Sequence, residues 1–328
     1  MKKSLLFCGV AALAFASCTQ NEVLDVNENR AIGFESFVGK PTKAVNDLTK
    51  DELNGFYVFG NYTPTPSGTE TAVFSNEVVT KSGENWNTTT TAYWQPNSTY
   101  KFAAYADGTS YPKIDGATFT SSQISIPYTV STNDLILATK EVTTGDDVSS
   151  VGNVQLVFNH LLSKVKFTFT SGFTSPTYKM TISNLKFNAP KKGTYTTEWT
   201  GHSDPADYEF ATISDIETGT PGESEENYVL PQSNSTLEVT FTVKVTDGGS
   251  FNKTNNLKAS LNVTEGDNTG EWVSGYVYNY KATITPANVD PSLEDQVIKF
   301  TVDTVEDWQN HNDPDGDDLG TITTVPAP

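Results

Sequence analysis

Apolar and polar residues alternate with a period of two along most of this chain, in short runs rich in Thr, Val, Ile, Tyr and Phe. Examples are Phe56-Tyr57-Val58-Phe59, Tyr100-Lys101-Phe102-Ala103-Ala104-Tyr105, Leu237-Glu238-Val239-Thr240-Phe241-Thr242-Val243 and Tyr276 to Ile284. Successive side chains of an extended strand point to opposite faces, so each run predicts a strand with one buried face. Turn-forming clusters separate them, among them Pro64-Thr65-Pro66-Ser67-Gly68, Asn188-Ala189-Pro190-Lys191-Lys192-Gly193 and Thr246-Asp247-Gly248-Gly249. Strands at intervals of roughly 8–12 residues predict an all-β chain built as β-sandwiches. Leu48 to Leu53 stands apart, with the acidic and basic mix of a short helix. The stretch from Leu156 to Lys164 is apolar enough to be buried at a junction, which places a boundary near residues 155–160. The expected domains are 44–158 and 159–328.

The first residues follow a different pattern. Lys2 and Lys3 precede an apolar run from Leu5 to Phe15, and Phe15-Ala16-Ser17-Cys18 closes it with small residues before a cysteine. The run is too short to span a bilayer, which takes roughly 20 residues. Its order predicts a secretory signal over residues 1–17 with a lipoprotein processing site, leaving Cys18 as an acylated N-terminus. Cys8 and Cys18 are the only cysteines, so the mature chain has no thiol for a disulfide, a metal site or nucleophilic catalysis. The formal charge of −19, from 40 acidic and 21 basic residues, repels phosphate backbones and argues against nucleic-acid partners.

Chemistry-bearing constellations are sparse. His160, His202 and His311 fall in different elements without zinc-ligand spacing, and His160, in an apolar stretch, reads as a satisfied buried histidine. Asp313, Asp315 and Asp317 alternate as in a calcium loop but lack the glycine and glutamate such a loop needs. Asp303-Thr304-Val305 is similar to a bacterial O-glycosylation acceptor, a short match that arises often by chance. No cofactor, metal or catalytic residue is expected.

Taken in order, several features resemble one family. They are the lipobox at Cys18, an Ile-x-Phe strand soon after it, a basic-Ala pair, and Tyr93-Trp94-Gln95-Pro96 leading into Tyr100-x-Phe102-x-Ala104-Tyr105. Asp134-Leu135-Ile136-Leu137-Ala138, Phe158-x-His160-x-Leu162-Ser163-Lys164-Val165, Ile298-x-Phe300-x-Val302 and Trp308 complete the series. Together they are similar to the fimbrillins, the donor-strand-assembled (type V) pilins of certain Gram-negative anaerobes, with their anchor and tip relatives. The resemblance implies two transthyretin-like Greek-key β-sandwich domains, export through the periplasm as a lipoprotein, and an outer-membrane lipid anchor before processing. It further implies removal of the first strand by a trypsin-like protease and polymerisation with other pilus subunits by strand exchange.

The residues offer a physical basis for such an exchange. Ile32, Phe34 and Val38 share one face of an extended strand within residues 31–39. Loss of that strand leaves an apolar vacancy and an unpaired edge for another strand to fill. The position matching the family's basic-Ala pair is Lys43-Ala44, which makes 18–43 a lipidated propeptide; the lysine departs from the arginine of the best-known members. The alternative is Arg30-Ala31, since Arg30 is the single arginine, but a cut there leaves the strand attached. At the other end an acidic linker, Asp313 to Asp318, precedes Leu319, Thr321, Thr323 and Val325 on one face of a strand-forming segment. This tail, about 313–328, is the expected donor; Val297 to Val302, which reads as the closing strand of the second domain, is the more apolar alternative.

Two function classes stand: a pilus subunit or anchor supporting adhesion, and a surface-exposed glycan-binding lipoprotein that does not polymerise. Trp86, Trp94, Trp199, Trp272 and Trp308 discriminate, because exposure along one face fits the second and burial the first.

Overall fold

The computed structural model describes residues 31–38, 48–49, 51–262, 270–290 and 298–307. In chain order the elements are β1 (Phe34–Val38), β2 (Gly55–Pro64), β3 (Thr71–Ser82), β4 (Asn85–Thr88), β5 (Ser98–Asp107), β6 (Thr118–Thr120), β7 (Gln123–Thr129), β8 (Leu135–Thr143), β9 (Val154–His160) and β10 (Ser163–Ser171). There follow β11 (Lys179–Tyr195), β12 (Trp199–Glu209), β13 (Ile213–Ile216), β14 (Gly222–Glu223), β15 (Asn227–Val229), β16 (Glu238–Thr246), β17 (Asn252–Ser260), β18 (Tyr276–Ile284), the short helix α1 (Pro286–Val289) and β19 (Thr301–Asp307). The chain is all-β, as its periodicity predicts. Among the described residues no helix is long and apolar enough to cross a membrane.

One seven-stranded sheet runs β1-β9-β8-β5-β2-β3-β4. Its central strand β5 is buried on both faces. Phe102, Ala104 and Ala106 join a core with Phe56, Val58, Phe74, Ile136 and Phe158, whereas Ala103 and Tyr105 face a second cluster with Leu135, Leu137, Ile124 and Ile126. A strand covered on both sides reads as a near-continuous apolar run, which is how Tyr100 to Tyr105 is composed.

The remaining strands form two further sheets. In one, β10 pairs in parallel with β18, which pairs antiparallel with β19. The other runs β17-β16-β11-β7-β6, with β12 and β13 also on β11. β16 alternates strictly, burying Val239, Phe241, Val243 and Val245 against Phe167, Phe169, Met180, Ile182 and Tyr280. The hairpin β6–β7 precedes residue 158 in sequence yet enters this sheet through Gly193↔Tyr128 and Tyr195↔Ile126. The stretch Leu156 to Lys164 carries β9 into β10, and Leu161 and Leu162 are buried with Tyr228 and Leu230, as its apolar composition predicts.

Three local expectations need correction. Asn188 to Gly193 is not a turn but lies inside β11, where Pro190 stands opposite Pro205. Two prolines lacking N–H groups fit a non-hydrogen-bonded pair, so neither breaks the ladder. The region from Leu48 to Leu53 closes as a turn, with the Leu53 N–H donating to the Thr49 carbonyl, and both leucines are fully buried. The closing strand begins at Thr301 and continues to Asp307, past the expected end at Val302. Ile298 and Phe300 lead into it and are buried in the second core, with the Phe300 ring 5.7 Å from Phe167 and 6.0 Å from Tyr280.

Candidate functional site: the first strand and the groove it fills

β1 is paired along one side, and the two residues just before Gly33 are bonded on the other. It pairs in parallel with β9, from Phe34↔Val154 to Val38↔Phe158, and the Val154 N–H donates to the Gly33 carbonyl at 2.8 Å. On the other side the Ile32 N–H donates to the Ala92 carbonyl at 2.8 Å, and Ala31 bridges Tyr93 antiparallel. Residues 92–93 lie just beyond β4, at the far edge of the same sheet. The sheet therefore curls enough for residues 31–32, ahead of β1, to touch the segment beyond its far edge, while β1 itself is the end stave of the sheet. Withdrawing that stave exposes the edge of β9 along its paired length.

The inward face of the strand is set by the period-two pattern. Ile32, Phe34 and Ser36 are buried while Glu35 is exposed. Phe34 is the centre of the contact: its ring lies 5.5 Å from Phe74 and 6.0 Å from both Phe56 and Phe102. Behind them Trp94 is fully buried, edge-on to Tyr100 at 4.6 Å. Gly33 lies close to the exposed Asn153 side chain, whose amide donates to Glu35 at 3.2 Å and which would have to shift to admit a Cβ there. Burying Ile32 and Phe34 contributes about 1.5–3 kcal/mol each.

The chain is gripped again at Leu48. Its N–H donates to Oδ2 of Asp134 at 3.1 Å, and the same oxygen lies 2.7 Å from Nδ1 of His160. Both side chains of this pair are fully buried. His160 is thus buried, as expected, and through Nδ1 it ties the end of β9 to the start of β8. Nearby, burial pushes the Asp107 carboxyl above the ordinary carboxylate range, and the negative charge of Asp134 adds to the rise. The Tyr128 hydroxyl opposes it by donating to Asp107 Oδ1 at 2.9 Å. Burial, followed by the Asp107 charge, in turn drives the Tyr128 phenol upward.

The structure thus brings Ala31, Ile32 and Phe34 together with Ala92, Tyr93 and β9; Val38 ends β1 at Phe158. Cys18, Arg30, Lys43, Ala44 and the tail residues Leu319, Thr321, Thr323 and Val325 lie outside the described residues. Composition did not reveal the Ala92–Tyr93 clasp or Asp134 as the partner of Leu48, since both link segments far apart in sequence. Of the tryptophans, Trp94 and Trp272 are buried. Trp86 packs on Phe56 at 5.0 Å, and Trp199 is partly buried and donates from Nε1 to the Leu161 carbonyl at 2.7 Å; Trp308 is outside the described residues. No group of three or more metal-ligating side chains is assembled among the described residues.

Comparison with known proteins gives a consistent picture. A family model described as fimbrillin-like matches residues 42–308. No curated protein matches the sequence. The chain is similar in structure to a fimbrial protein from Bacteroides vulgatus, at TM-score 0.60 and 17% identity, covering 85% of this chain and 99% of that one. A looser likeness, at TM-score 0.39 and 12% identity over 85% of this chain and 100% of the other, is to the fimbrial anchor protein Mfa2 from Porphyromonas gingivalis. The first likeness shows a shared fold.

Proposed function

We propose, because this chain belongs to the fimbrillin-like family, that it is a structural subunit of a cell-surface pilus, assembled by protease-triggered strand exchange and supporting adhesion. In this reading the precursor is exported as a lipoprotein on Cys18 and held at the outer membrane. A trypsin-like protease then cuts at Lys43-Ala44, with Arg30-Ala31 as the alternative that leaves the subunit capped at an end of the fibre. The released first strand is replaced by a donor from a neighbouring subunit, and the Leu319 to Val325 segment of this chain serves the next. The division into 44–158 and 159–328, each a transthyretin-like Greek-key sandwich, belongs to the same proposal. So does a non-enzymatic role.

The observation that carries it is the first strand itself. It covers the edge of β9 with Ile32 and Phe34 buried, and it is joined to all that follows through residues 39–47. Lys43-Ala44 lies in that connection, and Leu48 is anchored just beyond it by Asp134. One peptide cleavage there converts a covalent stave into a separately held strand. Lys40 precedes Pro41 and is a poor trypsin site, so Lys43 is the susceptible residue of the segment. The burial of Trp94 and Trp272 weighs against the glycan-binding alternative.

Limited trypsin treatment of the purified mature precursor tests this. The expected product begins at Ala44 and, mixed with other pilus subunits, forms detergent-resistant ladders on gels. A product beginning at Ala31 without polymer would assign the terminal role, and an Ala44 product that stays monomeric in that mixture would refute strand exchange.

A further inference from the structure

We propose that the groove filled by β1 is shaped for a strand with an aliphatic, an aromatic and a small residue at three successive inward positions. The strand that replaces β1 then comes from a different chain, not from the tail of a second copy. This rests on the strand-exchange reading above and names its partner. The occupant now in place is the template: Ile32, then Phe34 among the rings of Phe56, Phe74 and Phe102, then Ser36. Ser36 is buried with no hydrogen-bond partner for its Oγ among the described residues, so that position selects smallness and not polarity.

The chain's own tail does not meet this specification. Residues 309–328 contain no Phe, Tyr or Trp. With Leu319 in the place of Ile32, Thr321 falls where Phe34 sits; moving Leu319 to the Phe34 place carries Asp317 to that of Ile32. Presenting the other face puts Ile322 among the rings and Gly320 in the aliphatic place. Every register leaves a void that the surrounding β-structure cannot collapse to fill. Charge opposes the match as well, since Asp313, Asp315, Asp317 and Asp318 would approach a chain of net charge −19.

The test uses the trypsin-cut protein, with the first strand displaced by excess of three synthetic peptides in turn: residues 31–38, the same peptide with Phe34→Thr, and residues 317–328. Competition against a fluorescent 31–38 peptide reads the affinities. The 31–38 peptide is expected to bind, and the other two to bind about 100-fold more weakly, the loss that follows from leaving an aromatic site empty. Binding of the 317–328 peptide within about threefold of the 31–38 peptide would overturn the proposal while leaving strand exchange intact. Failure of the 31–38 peptide itself to bind would overturn strand exchange, and this proposal with it.

Discussion

Replacing Phe34 by Ala removes the ring that three other aromatic side chains surround at 5.5–6.0 Å. Truncating a buried phenylalanine costs about 3–5 kcal/mol, combining lost transfer energy with the cavity left behind. Phe34 sits on a terminal strand, so the cost falls on holding that strand in place more than on the sheets behind it. A loss of about 3–5 kcal/mol corresponds to a rise of roughly 10²–10³-fold or more in the population with the strand withdrawn. Hydrogen exchange at the Ile32 and Val154 amides, which bond the Ala92 and Gly33 carbonyls, reads that population directly. Exchange there should accelerate by two orders of magnitude or more, whereas amides of β16 should keep their protection. Glu35→Ala, on the exposed face of the same strand, is the control and should change exchange by less than about threefold, as surface substitutions do. If Phe34→Ala left the Ile32 and Val154 amides as protected as in the parent protein, the ring would not be what seats the strand. The groove argument would then fail.

Three other perturbations have defined outcomes. Asp107→Asn keeps an oxygen to accept from Tyr128 and removes a carboxyl whose folded pKa burial has raised. The favourable share of such a group is complete below its unfolded pKa and is lost as pH rises through its folded pKa. The variant should therefore melt above the parent at about pH 7.5, with the gap closing toward about pH 4, and a gap that widened on acidification would contradict the assignment. Cys18→Ala should abolish labelling of the precursor by a fatty-acid analogue, because a stable anchor takes more than one acyl chain on that residue; persistent labelling would refute the lipoprotein reading. Deleting residues 319–328 should leave the melting temperature unchanged and stop the cut protein from donating a strand to other pilus subunits, whereas unchanged co-polymerisation by the truncated form would discard the tail as donor.

How far the sequence led differs between the fold and the site. The run Tyr276 to Ile284 coincides with β18, and the alternation in Leu237 to Val243 predicts the buried face of β16, because periodicity is a local property of the chain. Asn188 to Gly193 misled because Pro, Gly and paired Lys read as a turn; the compensation, Pro205, is supplied by β12. The inward face of Ile32 and Phe34 was legible from spacing alone. The groove was not, since its walls come from β2, β3, β5 and β9, and its clasp from Ala92 and Tyr93. In the alternative donor segment, Ile298 and Phe300 are buried in the second core.

The hairpin β6–β7 has a mechanical consequence. The chain passes once from β9 to β10, between His160 and Ser163, and a single crossing of that kind would act as a swivel. By reaching over to β11, the hairpin adds a second tie, made of ladder hydrogen bonds at Gly193↔Tyr128 and Tyr195↔Ile126 and sealed by Ile124, Ile126 and Tyr128 beneath. Two ties at separate places turn a swivel into a strut. To bend about the crossing, the molecule must slide β7 along β11 and break several bonds together, so a pull on one part is carried into the other as shear.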